Sequence, residues 1–119
     1  MTPFGLFMRK LRLDKGLLLK DLADQLDVTS AYLSALEHGK KGVPSNSLVE
    51  LIEERLSLSA TEKVALRQAV KESPTSLQIP ARVSPRAYQT AAAFARRLPS
   101  LSDQDLQAIN RYLEDKDKP

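Results

Sequence analysis

The chain has no cysteine, no tryptophan and a single histidine, and only 5% of its 119 residues are aromatic. Without cysteine it forms neither a disulfide nor a thiolate metal site, and one histidine, His38, does not build a metal site from histidines. A core with so few rings must be filled mainly by Leu, Ala, Val and Ile, which favours helices over strands. The composition therefore predicts an all-α protein with no metal and no other cofactor.

Long apolar runs are also missing. No run approaches the roughly 18 residues that a helix needs to cross a bilayer, and the start of the chain lacks the apolar stretch and cleavage site of a signal peptide. The sequence contains no recognisable nucleophile with its base, phosphate-binding loop or metal cluster, so we do not expect an enzyme. We expect a soluble, cytoplasmic protein that acts by binding.

Basic residues are in modest excess, with a net charge of +3 at pH 7 and a pI near 9.3. This balance is compatible with a polyanion partner but does not establish one. Residues 73–102 carry no acid and four basic residues, all arginines: Arg82, Arg86, Arg96 and Arg97. This block is either a solvated surface beside a linker or a contact surface for phosphate or an acidic partner.

Three helical patterns open the chain. The first is predicted from Pro3 to Lys15 and is stopped by Gly16. The other two lie between Leu19 and Lys41 and are joined by a short break, which is the pattern of a helix-turn-helix. The apolar residues of the three helices recur at helical spacing and are expected to share one core: Phe4, Met8, Leu11, Leu22, Ala23, Leu26, Leu33 and Leu36.

The sequence signals for the ends of these helices differ in strength. Thr29 is a good N-cap for the third helix, which is predicted to end before Gly39. The second helix starts near Leu18 or Leu19, and neither side chain accepts a hydrogen bond from the first-turn amides. Further on, two Ser–Glu pairs have the capping-box spacing, Ser47 with Glu50 and Ser59 with Glu62. They predict helices over about 46–56 and 60–72.

The C-terminal third of the chain is predicted to be a linker followed by a helical hairpin. Residues 73–84 contain two prolines, no acid and no helical period, which predicts an extended linker. One helix opens at Pro85 behind Ser84, and Ser102 with Asp105 caps a last helix. A hairpin over 85–115 is too short, at about 30 residues, to hold a core alone. We expect it to pack on its own N-terminal domain, a second copy or another protein, with a charged tail at 116–119.

The first half of the chain resembles the Xre family of bacterial and phage DNA-binding proteins, which includes the phage Cro and CI repressors. The matching motifs lie between about Phe4 and Leu56, and their order and spacing together are specific. They are Arg9-Lys10-Leu11-Arg12, Lys15-Gly16, Leu22-Ala23, Leu26 with Val28, and Leu33-Ser34-Ala35-Leu36-Glu37-His38-Gly39. The resemblance implies a five-helix DNA-binding domain over 1–72. It also implies a homodimeric repressor of a palindromic operator, acting on its own gene, with half-sites about one helical turn apart.

The resemblance also implies which residues read DNA, since the family places the start of helix three in the major groove. At those positions this chain has Thr29, Ser30, Ala31, Tyr32, Ser34 and Ala35. Both serines can hydrogen-bond base edges, and we expect Ser30 to be exposed, while Ala31 can touch a thymine methyl. Tyr32 either contacts DNA or packs its ring on helix two. We expect Lys20, Lys40 and Lys41 to contact phosphates, ordinary solubility being the alternative.

Two further positions carry family features. In the family, residues matching Arg12 and Glu37 form a partly buried structural ion pair, and removing one partner of such a pair costs about 3–5 kcal/mol. Many members have Ser or Thr followed by Gln at the start of helix two, where this chain has Leu18 and Leu19. We expect Leu19 to be a packing residue, which leaves more of the specificity to indirect readout and to lysine contacts.

The start of helix two is similar to a branch of the family often paired with ImmA/IrrE-type metallopeptidases. That resemblance implies a hairpin that dimerises the repressor, and a cleavage region for the partner peptidase at 95–101, between the two helices. A second interpretation of the sequence is an antitoxin whose hairpin neutralises a toxin while the helix-turn-helix represses its own operon. A third is an adaptor that kept the fold and lost DNA binding.

Overall fold

A computed structural model describes residues 1–118 of the chain, and over these residues the protein is all-helical, as predicted. Pro119, the last residue of the predicted tail, lies outside the described residues. The chain forms two compact units, divided between Leu77 and Gln78. The helices are α1 Pro3–Asp14, α2 Leu19–Gln25, α3 Ser30–Glu37, α4 Asn46–Arg55, α5 Ala60–Lys71, α6 Pro85–Arg97 and α7 Asp103–Asp117, with a 3-10 turn at Leu98–Ser100.

The first unit is a five-helix domain around one apolar core. α1 packs against α3 and α5, α2 against α3, and α4 against α5. All eight apolar residues that helical spacing placed in the core of α1 to α3 are buried. They are joined there by Leu48, Val49, Ile52, Leu56, Leu58 and Leu66. Burial of aliphatic side chains from all five helices therefore holds the domain together, at about 25 cal/mol per Å² of apolar surface removed from water.

The helix ends follow local chemistry, with one correction. Ser59 and Glu62 form the predicted capping box: Glu62 N donates to Ser59 Oγ at 3.1 Å and Ser59 N donates to Glu62 Oε1 at 2.9 Å. The predicted role of Ser47 was wrong, because Ser45 caps α4 by accepting from Leu48 N at 3.2 Å. Ser45 is extended and follows the buried Pro44. The chain therefore takes up N-cap geometry two residues before Ser47, and Ser47 is already helical.

Ser73, at the start of the predicted linker, is buried in the first unit. Its hydroxyl donates to Ala69 O at 2.6 Å and accepts from Phe4 N at 2.8 Å. The amide of Phe4 lies in the first turn of α1, where no carbonyl of the helix is available to it. Ser73 therefore ties the end of α5 to the beginning of α1.

The second unit contains α6, the 3-10 turn and α7. Ser84 caps α6, accepting from Ala87 N at 3.1 Å, and Ser102 forms the predicted capping box with Asp105. α7 continues to Asp117, past the predicted end of the hairpin at 115. Neither helix has a buried residue, so the apolar side chains of both helices remain at least partly exposed. No helix within residues 1–118 is long and apolar enough to cross a membrane.

Candidate nucleic-acid interface

The break between α2 and α3 is a tight turn. Leu26 ends α2, and Asp27 follows with a φ of 57°, in the left-handed region that glycine adopts most easily. The turn is closed by Val28 N, which donates to Ala23 O at 3.0 Å. α3 then begins at Ser30, with Thr29 Oγ1 accepting from Tyr32 N at 3.0 Å. The predicted helix-turn-helix is thus formed, and Thr29 caps α3 as predicted.

Arg55, at the end of α4, holds this turn from outside the motif. Its Nη1 donates to Gln25 O at 2.9 Å, and its Nη2 lies 3.4 Å from Asp27 Oδ2. The guanidinium therefore satisfies a carbonyl at the end of α2 and faces the carboxylate of the strained residue. Sequence reasoning missed this role, because 28 and 30 residues separate Arg55 from its two partners and no local pattern joins them.

α3 presents one side to the core and the other outward. Leu33, Leu36 and Glu37 are buried, which fixes the rotation of the helix about its axis. On the outer side Thr29, Ala31 and Tyr32 are exposed, while Ser30, Ser34 and Ala35 are half-buried. Ser30 is thus less accessible than expected. The six residues predicted to read bases thus lie within residues 29–35, on either side of the buried Leu33, with three of them exposed and three half-buried.

Tyr32 borders a groove beside α3. The groove has a volume of about 620 Å³ and is lined by apolar side chains of the turn and of α4, among them Leu26, Val28, Leu48 and Leu51. Tyr32 nevertheless keeps 40% of its surface exposed. Tyr32 therefore lines this groove and is also exposed at the start of α3.

The three candidate phosphate-binding lysines are all exposed. Lys40 and Lys41 follow α3 directly, because Gly39, with a φ of 79°, ends the helix and lets Lys40 N donate to Ala35 O at 2.9 Å. Lys20 lies in the first turn of α2, at the positive end of that helix. The chain thus has an exposed basic group at the start of α2 and two after the end of α3.

The start of α2 is built without the family's polar residues. Leu19 is half-buried and packs against the core, which confirms that it is a packing residue, whereas Leu18 is 68% exposed. Asp21, inside the helix, instead caps the backbone of Leu18, since Asp21 Oδ2 accepts a hydrogen bond from Leu18 N at 2.9 Å. The spacing of Asp21 three residues after the N-cap position was a signal for this contact that sequence reasoning passed over.

Arg12 of α1 and Glu37 at the end of α3 lie close together. Arg12 Nη2 is 3.9 Å from Glu37 Oε1, and the side chains are 17% and 2% exposed. Within the described residues, Arg12 Nε and Glu37 Oε2 are buried without a hydrogen-bond partner. The structure brings the two residues together, but their geometry is looser than that of a bidentate pair. Burial raises the pKa of Glu37 above its usual value, while the positive charges of Arg12, His38 and Arg9 oppose this rise.

The backbone at Glu37 is where α1 crosses the end of α3. Thr2 N and Thr2 Oγ1 both donate to Glu37 O, at 3.2 and 3.3 Å. Gly5 passes so close that a Cβ on it would overlap the Glu37 carbonyl oxygen and lie 2.8 Å from the carbonyl carbon. Sequence reasoning had no signal for this crossing, because a glycine inside a helix pattern does not tell which backbone lies against it. The contact fixes α3 against α1.

Comparison with known proteins agrees with this geometry. The helix-turn-helix family model HTH_3 matches residues 8–63. The chain is also 28% identical, over 96% of its length and 91% of the relative's, to the uncharacterized HTH-type transcriptional regulator RghRB of Bacillus subtilis (strain 168). No solved structure matches it significantly. Residues 8–63 are therefore similar to the helix-turn-helix family, and this is the region in which the motifs resemble the Xre proteins.

Proposed function

We propose that the protein is a DNA-binding transcriptional repressor that acts as a homodimer on a palindromic operator, including that of its own gene. The helix-turn-helix domain and the similarity to a transcriptional regulator support DNA-binding regulation of transcription. The observation that carries the proposal is the outer side of α3. Six small or polar residues from Thr29 to Ala35 lie there, while Leu33 and Leu36 anchor the helix from behind.

In this proposal α3 lies in the major groove with its first turn toward the base edges. The hydroxyls of Ser30 and Ser34 donate to or accept from bases, and the Ala31 methyl contacts a thymine methyl. Lys20, Lys40 and Lys41 neutralise phosphates, which supplies affinity without reading sequence. Because the reading side chains are short, we expect part of the selectivity to come from the shape and deformability of the operator.

A single α3 covers only a few base pairs. Two copies related by a two-fold axis double the site and match the symmetry of a palindrome with half-sites about one helical turn apart, roughly 34 Å. The exposed apolar side of the second unit is consistent with such association. The proposal places this activity in the cytoplasm, where the DNA of a bacterium lies.

Two variants separate base reading from phosphate binding. Promoter DNA of the chain's own gene and a scrambled duplex are titrated with Ser30→Ala and with Lys41→Ala. Lys41→Ala should weaken binding to both duplexes about equally and lower the salt slope by about 1, whereas Ser30→Ala should weaken promoter binding more than scrambled binding. Lys63→Ala, which removes an exposed lysine from α5, is the control and should leave both affinities unchanged. Equal losses on both duplexes for Ser30→Ala would remove that residue from the base-reading surface.

A further inference from the structure

The two helices of the second unit enclose an open apolar groove. It has a volume of about 590 Å³ and lies between α6 and α7. Its apolar lining is Ala87, Ala91, Phe94, Ile109 and Leu113. Phe94 and Leu113 keep 37% and 56% of their surfaces exposed, and no residue of either helix is buried. Because no apolar side chain of the two helices is fully buried, the groove is an exposed apolar surface of the kind that marks a contact site.

The charges of the two helices are opposite and equal. α6 contains three arginines and no acid, which gives it +3, while α7 contains five acids and two basic residues, which gives it −3. Both ends of each helix share its sign. α6 has Arg86 in its first turn and Arg96 and Arg97 in its last, and α7 has acids in its first and last turns. None of the three arginines forms an ion pair within residues 1–118.

We infer that the groove is filled by α6 and α7 of a second copy, with α6 of each copy lying along α7 of its partner in a four-helix bundle. Such a contact is isologous, since the same two surfaces meet twice about the two-fold axis. It buries the apolar linings of both grooves against each other. The inference rests on the proposed function in one respect, because it names the contact that holds together the dimer bound to a palindrome.

Charge decides which helices meet. Placing α6 beside α6 of the partner would bring three arginines against three arginines, and α7 beside α7 would oppose five acids with five. Pairing α6 with α7 of the partner instead sets positive against negative at both ends, whether the helices run parallel or antiparallel. Like charges at a helix interface are destabilising and opposite charges select the partner, as at the flanking positions of coiled coils. The unit is thus complementary to itself.

Exchanging charges between copies tests this pairing. One variant reverses α6 (Arg86→Glu, Arg96→Glu, Arg97→Glu) and a second reverses α7 (Glu114→Lys, Asp115→Lys, Asp117→Lys). The full-length chains are measured by sedimentation. The wild type should be a dimer. Each variant alone should be monomeric at the same concentration, because all four helices of its dimer would carry one sign. An equal mixture should regain the dimer, since each α6 then meets an α7 of opposite charge.

The mixture also separates contacts between copies from contacts within one hairpin, because the mutated hairpins remain like-charged internally after mixing. Circular dichroism checks that helix content is retained in each variant. A monomeric wild type, or a mixture that stays monomeric with its helices formed, would overturn the inference. A wild type that dimerises only when DNA is added would overturn it as well.

Leu113→Asp provides a second test that does not reverse charges between helices. It places a carboxylate in the groove and should abolish the dimer, whereas Leu77→Asp, at a leucine that is 77% exposed outside the groove, should leave the dimer intact. Persistence of the Leu113→Asp dimer would overturn the inference. DNA binding is scored separately on a half-site duplex. Loss of DNA binding by an intact dimer would contradict the proposed function alone, and half-site binding by a monomeric wild type would contradict this inference alone.

Discussion

Replacing Gly5 with alanine distinguishes local helix preference from the packing of α1 on α3. Gly5 lies inside α1, where alanine is the better helix former by about 0.5–1 kcal/mol. If only the helix mattered, Gly5→Ala would therefore stabilise the domain. In the folded protein, however, the new Cβ would overlap the Glu37 carbonyl oxygen and lie 2.8 Å from its carbon and 3.0 Å from its Cα. These are backbone atoms at the end of α3, which do not swing aside as a side chain would.

The net effect is the difference between these terms. Forcing a methyl group into a packed contact costs about 1–3 kcal/mol. Moving α1 away also weakens the two hydrogen bonds from Thr2 to Glu37 O, together about 1 kcal/mol. After the gain in helix preference, we expect Gly5→Ala to lower the free energy of unfolding by about 2 kcal/mol. For a domain of this size, that corresponds to a fall in Tm of about 10 °C.

Urea unfolding followed by circular dichroism measures this change. Gly16→Ala is the control, because nothing lies within 4 Å of its new Cβ and only its φ of 67° opposes alanine, at about 1 kcal/mol. Gly5→Ala should be the less stable of the two. A Gly5→Ala protein as stable as the wild type, or more so, would refute the argument from close approach and show that α1 does not hold the end of α3 in this way.

Three further predictions concern other contacts of the domain. In Glu37→Gln, urea midpoints from pH 4.5 upward should depend less on pH than in the wild type. Burial raises the pKa of Glu37 above its value in the unfolded chain. The stability that Glu37 contributes is therefore complete below the unfolded pKa and is lost as pH rises through the folded pKa. Curves of urea midpoint against pH that run parallel for Glu37→Gln and the wild type would contradict this. Arg55→Ala should lower the free energy of unfolding by about 1 kcal/mol and speed amide hydrogen exchange in the turn between α2 and α3. Unchanged exchange there would show that Arg55 does not hold the turn. Ser45→Ala should cost about 1 kcal/mol in thermal unfolding as a lost N-cap, whereas Ser47→Ala should cost almost nothing; the reverse order would restore Ser47 as the cap.

Features that depend on neighbours in sequence were predictable. The cap at Thr29, the box of Ser59 with Glu62 and the packing of Leu19 each follow from chemistry within one helical turn. The burial of the apolar residues in α1 to α3 follows in the same way from helical spacing. Even the error at Ser47 was local, because Ser45, two residues earlier, is an equally suitable N-cap residue and is the one that caps α4.

Contacts between distant residues were not predictable from these patterns. Gly5 against the Glu37 carbonyl, Arg55 on the turn, and Ser73 bonded to the amide of Phe4 join residues about 30 or more apart in the chain. Each depends on how helices cross, which periodicity does not specify. The candidate site shows the same division. The sequence placed the reading residues at the start of α3, but the half-burial of Ser30 depends on the packing of neighbouring helices.

The central claim is that the outer side of α3 reads a DNA sequence. It is tested most directly by the affinity of the full-length wild type for its own promoter compared with a scrambled duplex of equal length, measured by fluorescence anisotropy over a salt series. We predict that the promoter binds at least about 10³-fold more tightly, and that both affinities fall linearly with the logarithm of salt concentration because phosphate contacts release counterions. Equal affinity for the two duplexes at every salt concentration, or no binding to either, would contradict the claim.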